Sequence, residues 1–401
     1  MSGSPDTPAW SVVLSQTEQA GIAYTHQVFD TSAALTTFLA AAQKNSMPVL
    51  SGPPGRIPPA TSTKSLAYLD LSGMTQVLEY EVADQVVHAE VGISLKALDE
   101  LLAKNKQRLA VDVPENWTLL DLLNSGRAGT LTHAYGGVRD IVLGCTVALA
   151  DGTVIKCGGK VVKNVTGYDM GKLFVGSRGW LGIPVSAYLR LHARPETSRT
   201  LSWSFDSSAD AVTHAKNLIK SGLPFARLEL LRHAQSNHTT LLAQAQGLPL
   251  VVDEVCHEAD ERFSGAKSAV ELKDDAEREQ WSNICSTFMQ VADDQIVQMN
   301  LPMTSMHALL DALSKYGALQ ATPARGQMSL RLNDPAKLKE VIDQVSLVAN
   351  RDAIKIVIAT GDQSFNYRVT TVPGDPVGAN LKERLKKRFD QSGILNPFVS
   401  L

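Results

Sequence analysis

The sequence has little of what several classes of protein depend on. Aromatic residues make up 6% of its 401 residues, and it has only four cysteines, Cys145, Cys157, Cys256 and Cys285. Because no two of them form a Cys-x-x-Cys pair, we do not expect a zinc knuckle or an iron–sulfur cluster held by this chain. A disulfide framework is unusual in a chain this long, so reduced thiols and a cytoplasmic protein are expected.

A strong charge of either sign is also missing. Lys+Arg number 38 and Asp+Glu 41, a net charge of -3, which excludes the basic footprint of a nucleic-acid-binding protein. No apolar run approaches the roughly 20 residues that span a bilayer, and the first residues show no secretory signal. The nine histidines show no HxxxH or HExxH spacing, so no metal site is expected. We expect no integral membrane segment, and a location in the cytoplasm or at a membrane through partners.

The hydrophobic pattern changes near Arg194-Pro195. Before it, short apolar runs alternate with helical stretches, and Asp151-Gly152 marks a tight hairpin turn. After it, strand and helix candidates alternate at longer spacing, with examples at 201–205, 209–220, 259–272 and 327–332. This alternation is typical of an α+β domain whose antiparallel sheet is covered on one side.

Glycine is concentrated in the middle of the chain. Of the 28 glycines, 13 lie between Gly126 and Gly182. Glycine weakens regular structure, so this density indicates either many tight turns or a backbone that comes close to a ligand.

Three stretches in this region, with the end of the chain, resemble a known family. They are Gly136–Gly144 (GGVRDIVLG), Lys163–Asp169 (KNVTGYD), Gly176–Gly182 (GSRGWLG) and the closing Gly393–Pro397 (GILNP). Their order is similar to that in the FAD-binding domain of the vanillyl-alcohol-oxidase family, the PCMH type. Within that family the likeness is to the E subunit of bacterial glycolate oxidase.

The resemblance covers roughly residues 28–195 and the C-terminus, and it implies an α+β fold. Residues 1–195 are expected to form a two-subdomain FAD-binding domain, residues 196–375 an antiparallel-sheet α+β cap, and residues 376–401 a tail that returns to the first domain. FAD is expected to bind non-covalently, because the loop at 51–59 carries no His or Cys.

The resemblance also implies which residues meet the cofactor. Backbone amides cradle a pyrophosphate where side chains stay out of the way. In this family the cradle is formed by the loop here at Ser51–Arg56 and the turn from Thr118 onward, while the flavin ring packs near Gly179–Ile183. The implied FAD-binding residues are Gly52, Gly55, Thr118, Ser125, Gly126, Gly179, Gly182, Ile183 and Asn396.

Both phosphate segments differ from the family pattern. Pro53-Pro54 stands inside the first loop, and proline has no N–H to donate. Leu120-Asp121 stands where the family has two glycines. Two hypotheses therefore stay open: an FAD-binding subunit, or a scaffold or regulatory protein that keeps the fold without the flavin.

The resemblance implies a subunit rather than a complete enzyme. Relatives that oxidise 2-hydroxy acids carry a His-x-Gly-Asp-Gly-Asn segment, which is missing here, and no catalytic residue is assigned. We expect a catalytic flavin subunit and an iron–sulfur subunit as partners, with a small 2-hydroxy acid such as glycolate oxidised by the complex.

Several polar residues have structural interpretations that we prefer. Asp121 suits an exposed first helical turn, and Arg139-Asp140 suits a salt bridge at the start of a strand. Lys163 and Tyr168 could face the flavin, although turn hydrogen bonds and packing are the simpler interpretation. The runs at 273–279 and 382–388 are predicted to be solvated helix faces.

Overall fold

The structure is a computed structural model, and it describes residues 24–51, 66–160, 169–263, 269–289, 296–348, 354–359, 370–372 and 376–397. Within these ranges no helix is both long and apolar enough to cross a membrane. The predicted Gly52, Gly55, Lys163 and Tyr168 lie outside the described residues.

The chain begins with a small parallel sheet. Strands β1 (Tyr24–Val28), β2 (Val49–Ser51) and β3 (Leu66–Asp70) pair in the order β1-β3-β2. Helix α1 (Ser32–Lys44) connects the first two and buries Leu35, Leu39 and Ala42. The Thr31 hydroxyl accepts a hydrogen bond from the amide of Ala34 and so caps this helix, as Thr does at helix starts.

A five-stranded antiparallel sheet packs beside it. Its strands are β4 (Val77–Glu81), β5 (Val86–Glu90), β7 (Val142–Ala148), β8 (Val154–Gly158) and β9 (Ile183–Arg190), in the order β4-β5-β9-β7-β8. The hairpin predicted at Asp151-Gly152 is confirmed, with Gly152 at φ +82°. The remaining elements before residue 195 are α2 (Leu95–Ala103), β6 (Gln107–Arg108), α3 (Leu119–Ser125), α4 (Thr132–Tyr135), α5 (Val138–Ile141), α6 (Gly171–Phe174) and β10 (His192–Ala193).

A nine-stranded sheet follows, in the order β14-β11-β13-β12-β16-β17-β15-β18-β19. Every pairing within it is antiparallel. The strands are β11 (Thr197–Phe205), β12 (Phe225–Arg232), β13 (Thr239–Gly247), β14 (Ala269–Leu272), β15 (Ile296–Asn300), β16 (Gly317–Thr322), β17 (Gln327–Leu332), β18 (Ile354–Ala359) and β19 (Thr370–Val372). The helices are α7 (Ser208–Ser221), α8 (Pro249–Arg262), α9 (Asp274–Met289), α10 (Met303–Leu313), α11 (Leu338–Val348) and, after the sheet, α12 (Pro376–Phe389).

The two faces of this sheet differ in chemistry. Side chains alternate along a strand, and in β12 Leu228 and Leu230 join the apolar core formed with α7, α8, α10 and α11. Arg227 and Glu229, which alternate with these two leucines along the strand, are buried polar residues. On β13, Leu242 packs instead against Trp281 of α9. The sheet therefore has one apolar face and one face that carries polar groups.

The sequence missed part of this sheet. Neither β13 nor β16 was predicted, and the single element expected at 259–272 is the end of α8 followed by β14. Alanine, glutamine and glycine fill much of Thr239–Gly247, and their low β propensity hides a central strand. The α+β class with an antiparallel sheet is confirmed.

The apolar residues form two main cores, one drawn from residues 29–191 and one from residues 201–345. Met289 of α9, Ile394 and Leu395 join the first core. The amide of Val49 donates to the carbonyl of Ile394 at 2.9 Å, which places the chain end beside β2. These contacts support the proposed division near residues 195 and 375, with a tail that packs on the first domain.

Candidate functional site

Helix α3 starts at the predicted Thr118. Its hydroxyl caps the amide of Asp121 at 3.3 Å, and the Asp121 carboxylate accepts from the Thr118 amide and hydroxyl, both at 2.9 Å. This reciprocal pair is a capping box. The Asp121 carboxylate therefore occupies donors that an anionic ligand could otherwise use.

The expectation that Asp121 is exposed is wrong. Asp121 is 8% exposed and Leu120 6%, because the helix start packs into the first core. Burial raises the pKa of Asp121, and its hydrogen bonds from Thr118 oppose that rise. A capped, buried carboxyl thus stands where the family pattern has glycine.

At its other end, α3 meets the third glycine-rich stretch. Gly126 closes the helix at φ +68°, and a Cβ there would lie 3.0 Å from the Cα of Gly176. The amide of Gly176 donates to the Leu123 carbonyl at 2.8 Å, and that of Arg178 donates to the Asn124 carbonyl at 3.1 Å. Two backbones come this close only because neither glycine has a side chain.

The predicted Gly179 and Asn396 lie together. A Cβ on Gly179 would fall 2.5 Å from Ser51 Oγ and 2.7 Å from Asn396 Nδ2. Asn396 accepts from the Ser51 amide at 2.8 Å and donates to the Ser51 carbonyl at 2.9 Å and to the Arg178 carbonyl. Asn396 thus joins the chain end to β2 and to the segment before Gly179.

Gly182 and Ile183 are held by packing. A Cβ on Gly182 would meet the Val147 side chain at 2.6 Å, and Ile183 is 1% exposed in β9. Ile183 belongs to the same core as α3, and the Val147 side chain that Gly182 meets belongs to it too. The structure therefore shows a packing reason for these two residues.

Three buried polar side chains near these segments have atoms with no hydrogen-bond partner among the described residues. They are Ser51 Oγ, Ser177 Oγ and both side-chain atoms of Asn124. Exposure is 3% for each serine and 0% for Asn124. Because a buried polar group without a partner is costly, these atoms suit a polar ligand. Sequence reasoning missed Asn124 and Ser177, although Ser177 lies within a quoted motif.

A cavity opens where these segments face the nine-stranded sheet. We call it the glycine-rich cavity; it consists of a part of about 190 Å³ and an adjoining part of about 670 Å³. Residues that line both parts are Ser125, Gly126, Thr132, Gly137, Gln298 and Gln327. The predicted Ser125 and Gly126 therefore form one wall, and amide side chains of the sheet form the other.

Basic residues outnumber acidic ones along this cavity. Asp140 and Asp169 are its lining acids, whereas six lining residues are basic: Arg127, Arg139, Lys172, Arg178, Arg325 and Lys382. Two ion pairs use both acids, Lys172–Asp169 at 3.1 Å and Arg325–Asp140 at 3.4 Å. The basic side chains along the described lining suit an anionic ligand.

The predicted Arg139–Asp140 salt bridge is wrong. Arg139 donates to the Val175 carbonyl at 3.2 Å, and Asp140 caps its own short helix at the Gly137 amide, 2.8 Å away. Asp140 pairs with Arg325 of the nine-stranded-sheet unit instead. Adjacent residues point in different directions on a helix, so a neighbouring pair in sequence is a poor guide to a pair in space.

The two runs predicted to be solvated helix faces each contain a buried member. Lys386 is 13% exposed; it pairs with Asp390 at 2.7 Å and donates to the carbonyls of Trp180 and Leu395, both at 2.7 Å. Burial lowers its pKa, which Asp390 opposes. Glu277 is 3% exposed. Most of the other residues in both runs remain exposed. The pattern therefore predicted the two helix faces correctly but not the burial of Lys386 and Glu277.

Among the described residues, no group of three His, Cys, Asp or Glu side chains stands close enough to hold a metal ion.

The comparisons with known proteins point to one cofactor. Residues 28–158 match a family model described as an FAD binding domain. The chain is 24% identical to an uncharacterized FAD-linked oxidoreductase of Mycobacterium tuberculosis over all of this chain and 92% of that protein. A solved structure of alkyldihydroxyacetonephosphate synthase matches 92% of this chain and 75% of its own, with a TM-score of 0.67 and 15% identity.

Other relatives are matched over a shorter length. The chain is 35% identical to a probable mitochondrial D-lactate dehydrogenase of Danio rerio over 42% of this chain and 34% of that protein. It is 33% identical to glycolate oxidase subunit GlcE of Escherichia coli over 33% of this chain and 39% of that protein. The chain thus spans only about a third of the D-lactate dehydrogenase that it matches.

The residues present fit FAD. The unpartnered Ser51, Asn124 and Ser177 side chains can hydrogen-bond the cofactor, and the close approach of Gly126 and Gly176 leaves backbone exposed to it. The capped start of α3 offers fewer donors than the family pattern. Residues 28–158 therefore match an FAD-binding domain, and over its whole length the chain is similar to an FAD-linked oxidoreductase.

Proposed function

We propose that this chain is the FAD-binding, E-type subunit of a glycolate-oxidase-like complex. In this proposal it passes electrons between a catalytic flavin subunit and an iron–sulfur subunit while the complex oxidises a small 2-hydroxy acid. The likeness to glycolate oxidase subunit GlcE supports the subunit assignment. A location in the cytoplasm, or at a membrane through the partners, belongs to the same proposal.

The observation that carries the proposal is the set of unpartnered polar atoms beside the glycine-rich cavity. Bound FAD supplies reversible electron transfer. Asn124 and Ser177 would orient it, because their side chains have no other partner among the described residues. Thr118, Gly52 and Gly55 belong to the proposed phosphate segments, and Ser125, Gly126, Gly179, Gly182, Ile183 and Asn396 complete the proposed cofactor-binding set.

The first experiment is the visible spectrum of the purified chain. We expect flavin absorption bands and FAD released on denaturation. A folded chain that stays colourless after incubation with FAD would instead establish the second hypothesis, a scaffold or regulator without flavin. The buried Asp121 carboxylate at the start of α3 is the observation that favours this second hypothesis.

A sharper test uses Asn124→Leu. Since the Asn124 side chain has no hydrogen-bond partner among the described residues, its replacement removes no hydrogen bond within that part of the chain. FAD affinity, measured by quenching of flavin fluorescence, should fall about tenfold, the value of one hydrogen bond of about 1.4 kcal/mol. The urea midpoint of the apoprotein should not fall. Asn283→Ala, on the exposed side of α9, is the matched control.

The subunit assignment needs its own experiment. A tag on this chain should recover, from its own cells, a second flavoprotein and an iron–sulfur protein, measured by mass spectrometry and iron analysis. Recovery of the chain alone, with FAD bound, would reject the complex while leaving the flavoprotein assignment intact.

A further inference from the structure

A second cavity lies between the FAD-binding domain and the nine-stranded sheet. We call it the Arg227 cavity; its volume is about 970 Å³. It shares no lining residue with the glycine-rich cavity. The amide of Asp112, on its wall, donates to the carbonyl of Ala128, which lines the glycine-rich cavity, at 2.9 Å. The two cavities are therefore neighbours separated by a hydrogen-bonded wall.

Arg227 of β12 lines this second cavity and is only 9% exposed. Its guanidinium carbon lies 4.7 Å from the centre of the Trp281 ring. Its Nη1 donates to the Gln244 side chain at 2.8 Å, and its Nη2 lies 3.4 Å from Asp112 Oδ2. The Nε has no hydrogen-bond acceptor among the described residues.

The edge of Arg227 that carries Nε and Nη2 is thus weakly engaged. This is the side-on edge with which arginine holds both oxygens of a carboxylate. The Trp281 ring fixes the plane of the guanidinium by a cation–π contact. A buried cation whose ion pair is long and whose Nε lacks an acceptor is poorly compensated.

The neighbouring acids are already occupied. Asp112 accepts from the Thr130 hydroxyl at 2.6 Å. Glu277 accepts from Ser198 and Thr200 at 2.6 Å each and from Gln244 at 2.8 Å. Both carboxylates are therefore engaged elsewhere, and Asp112 reaches the side-on edge of Arg227 only at the long distance of 3.4 Å to Nη2.

A second arginine stands behind the lining. Arg108 donates to Gln246 Oε1 at 2.7 Å and to the Tyr135 hydroxyl at 3.0 Å, and Gln246 lines the cavity. The Nε of Arg108 also lacks an acceptor among the residues that the structure describes. Two arginines with incomplete hydrogen bonding among the described residues therefore stand on this side of the cavity.

We propose that the Arg227 cavity binds a small organic carboxylate, held side-on by the Nε and Nη2 of Arg227. A volume of about 970 Å³ leaves room for a body larger than the carboxylate itself, and it lies in the range of small-molecule sites. Because loop residues 112–116 and the sheet both line it, such a ligand joins the two units. This inference does not depend on the proposed function.

Calorimetry on the purified full chain tests it, with succinate as the probe and succinamide as its neutral counterpart at one fixed ionic strength. Succinate should bind at least about tenfold more tightly than succinamide, since the amide loses the charge-assisted bonds. Equal binding of the two, no binding of succinate at millimolar concentration, or tighter binding of inorganic phosphate would overturn the proposal.

A matched pair of variants locates the site. Ser282 lines the cavity on the exposed side of α9, so Ser282→Glu and Ser282→Gln should both fold. Ser282→Glu should lower the affinity for succinate by about tenfold through repulsion. Ser282→Gln should leave that affinity unchanged. Gln327→Glu places the same charge in the glycine-rich cavity. Loss of binding in Gln327→Glu but not in Ser282→Glu would move the carboxylate to that cavity and reject this assignment.

Discussion

The FAD-binding domain and the nine-stranded sheet bring polar groups to their shared boundary in opposite ways. The domain does so with backbone, at glycines such as Gly126 and Gly176 whose chains approach closely. The sheet does so with side chains, such as Arg227 and Gln244, that alternate with apolar residues along its strands. A glycine requirement is local and visible in sequence, whereas a polar face exists only once the strands are in register.

Removing a buried ion pair should have the largest effect. Lys386→Ala leaves the fully buried Asp390 without its cation, which should cost about 3–5 kcal/mol in the free energy of unfolding. Urea denaturation measures it. The adjacent Lys387→Ala removes only an exposed pair with Glu383 and should leave the midpoint unchanged. Equal effects of the two variants would mean that α12 does not pack on the first core.

The polar face of the sheet can be tested at Glu277. Its carboxylate accepts from three donors on β11 and β13, so Glu277→Ala should cost about 3 kcal/mol by leaving buried donors without an acceptor. Thermal or urea unfolding measures this loss. Glu279→Ala, exposed on the same helix, is the control and should have no measurable effect. If neither variant changes the free energy of unfolding, the polar face does not contribute to stability.

Asp121 is the place where the domain uses a side chain instead of backbone. Asp121→Asn keeps an oxygen for the helix cap and removes a negative charge at the segment proposed to bind the cofactor's phosphates. We expect FAD affinity at neutral pH to rise about tenfold, about 1.4 kcal/mol, by relief of repulsion. Fluorescence titration measures it, with Asp151→Asn on a distant exposed turn as the control. Unchanged affinity would show that the pyrophosphate lies away from α3.

Asp121 should also make the stability of the protein depend on pH, with a smaller effect. Burial raises the folded-state pKa of Asp121, so between its unfolded and folded pKa the folded state binds more protons. Stability should therefore fall as pH rises through that window, and the fall should end above the folded pKa. Urea midpoints of the apoprotein from pH 4 to pH 7 should show a steeper fall than those of Asp121→Asn. Parallel curves would contradict the raised pKa.

Much of the FAD-binding domain could be predicted from sequence, because its signals are local. Caps at Thr31, Ser94 and Thr118 and the turn at Gly152 depend on a few adjacent residues. The exposure of Asp121, Glu277 and Lys386 could not be predicted, because segments far along the chain pack over them. Lys386 donates to the carbonyl of Trp180, Glu277 accepts from two hydroxyls of β11, and the start of α3 around Asp121 packs into the first core.

The sequence by itself determined the α+β class, the FAD-binding domain and the glycines where backbones approach. Tertiary structure alone decided which polar side chains lack partners. Asn124 and Arg227 lie in no motif, and nothing in the motif around Ser177 marks its hydroxyl as lacking a partner among the described residues. Their unsatisfied atoms arise only when the strands and helices from distant parts of the chain exclude water around them, since a polar group needs a protein or ligand partner only where water is gone.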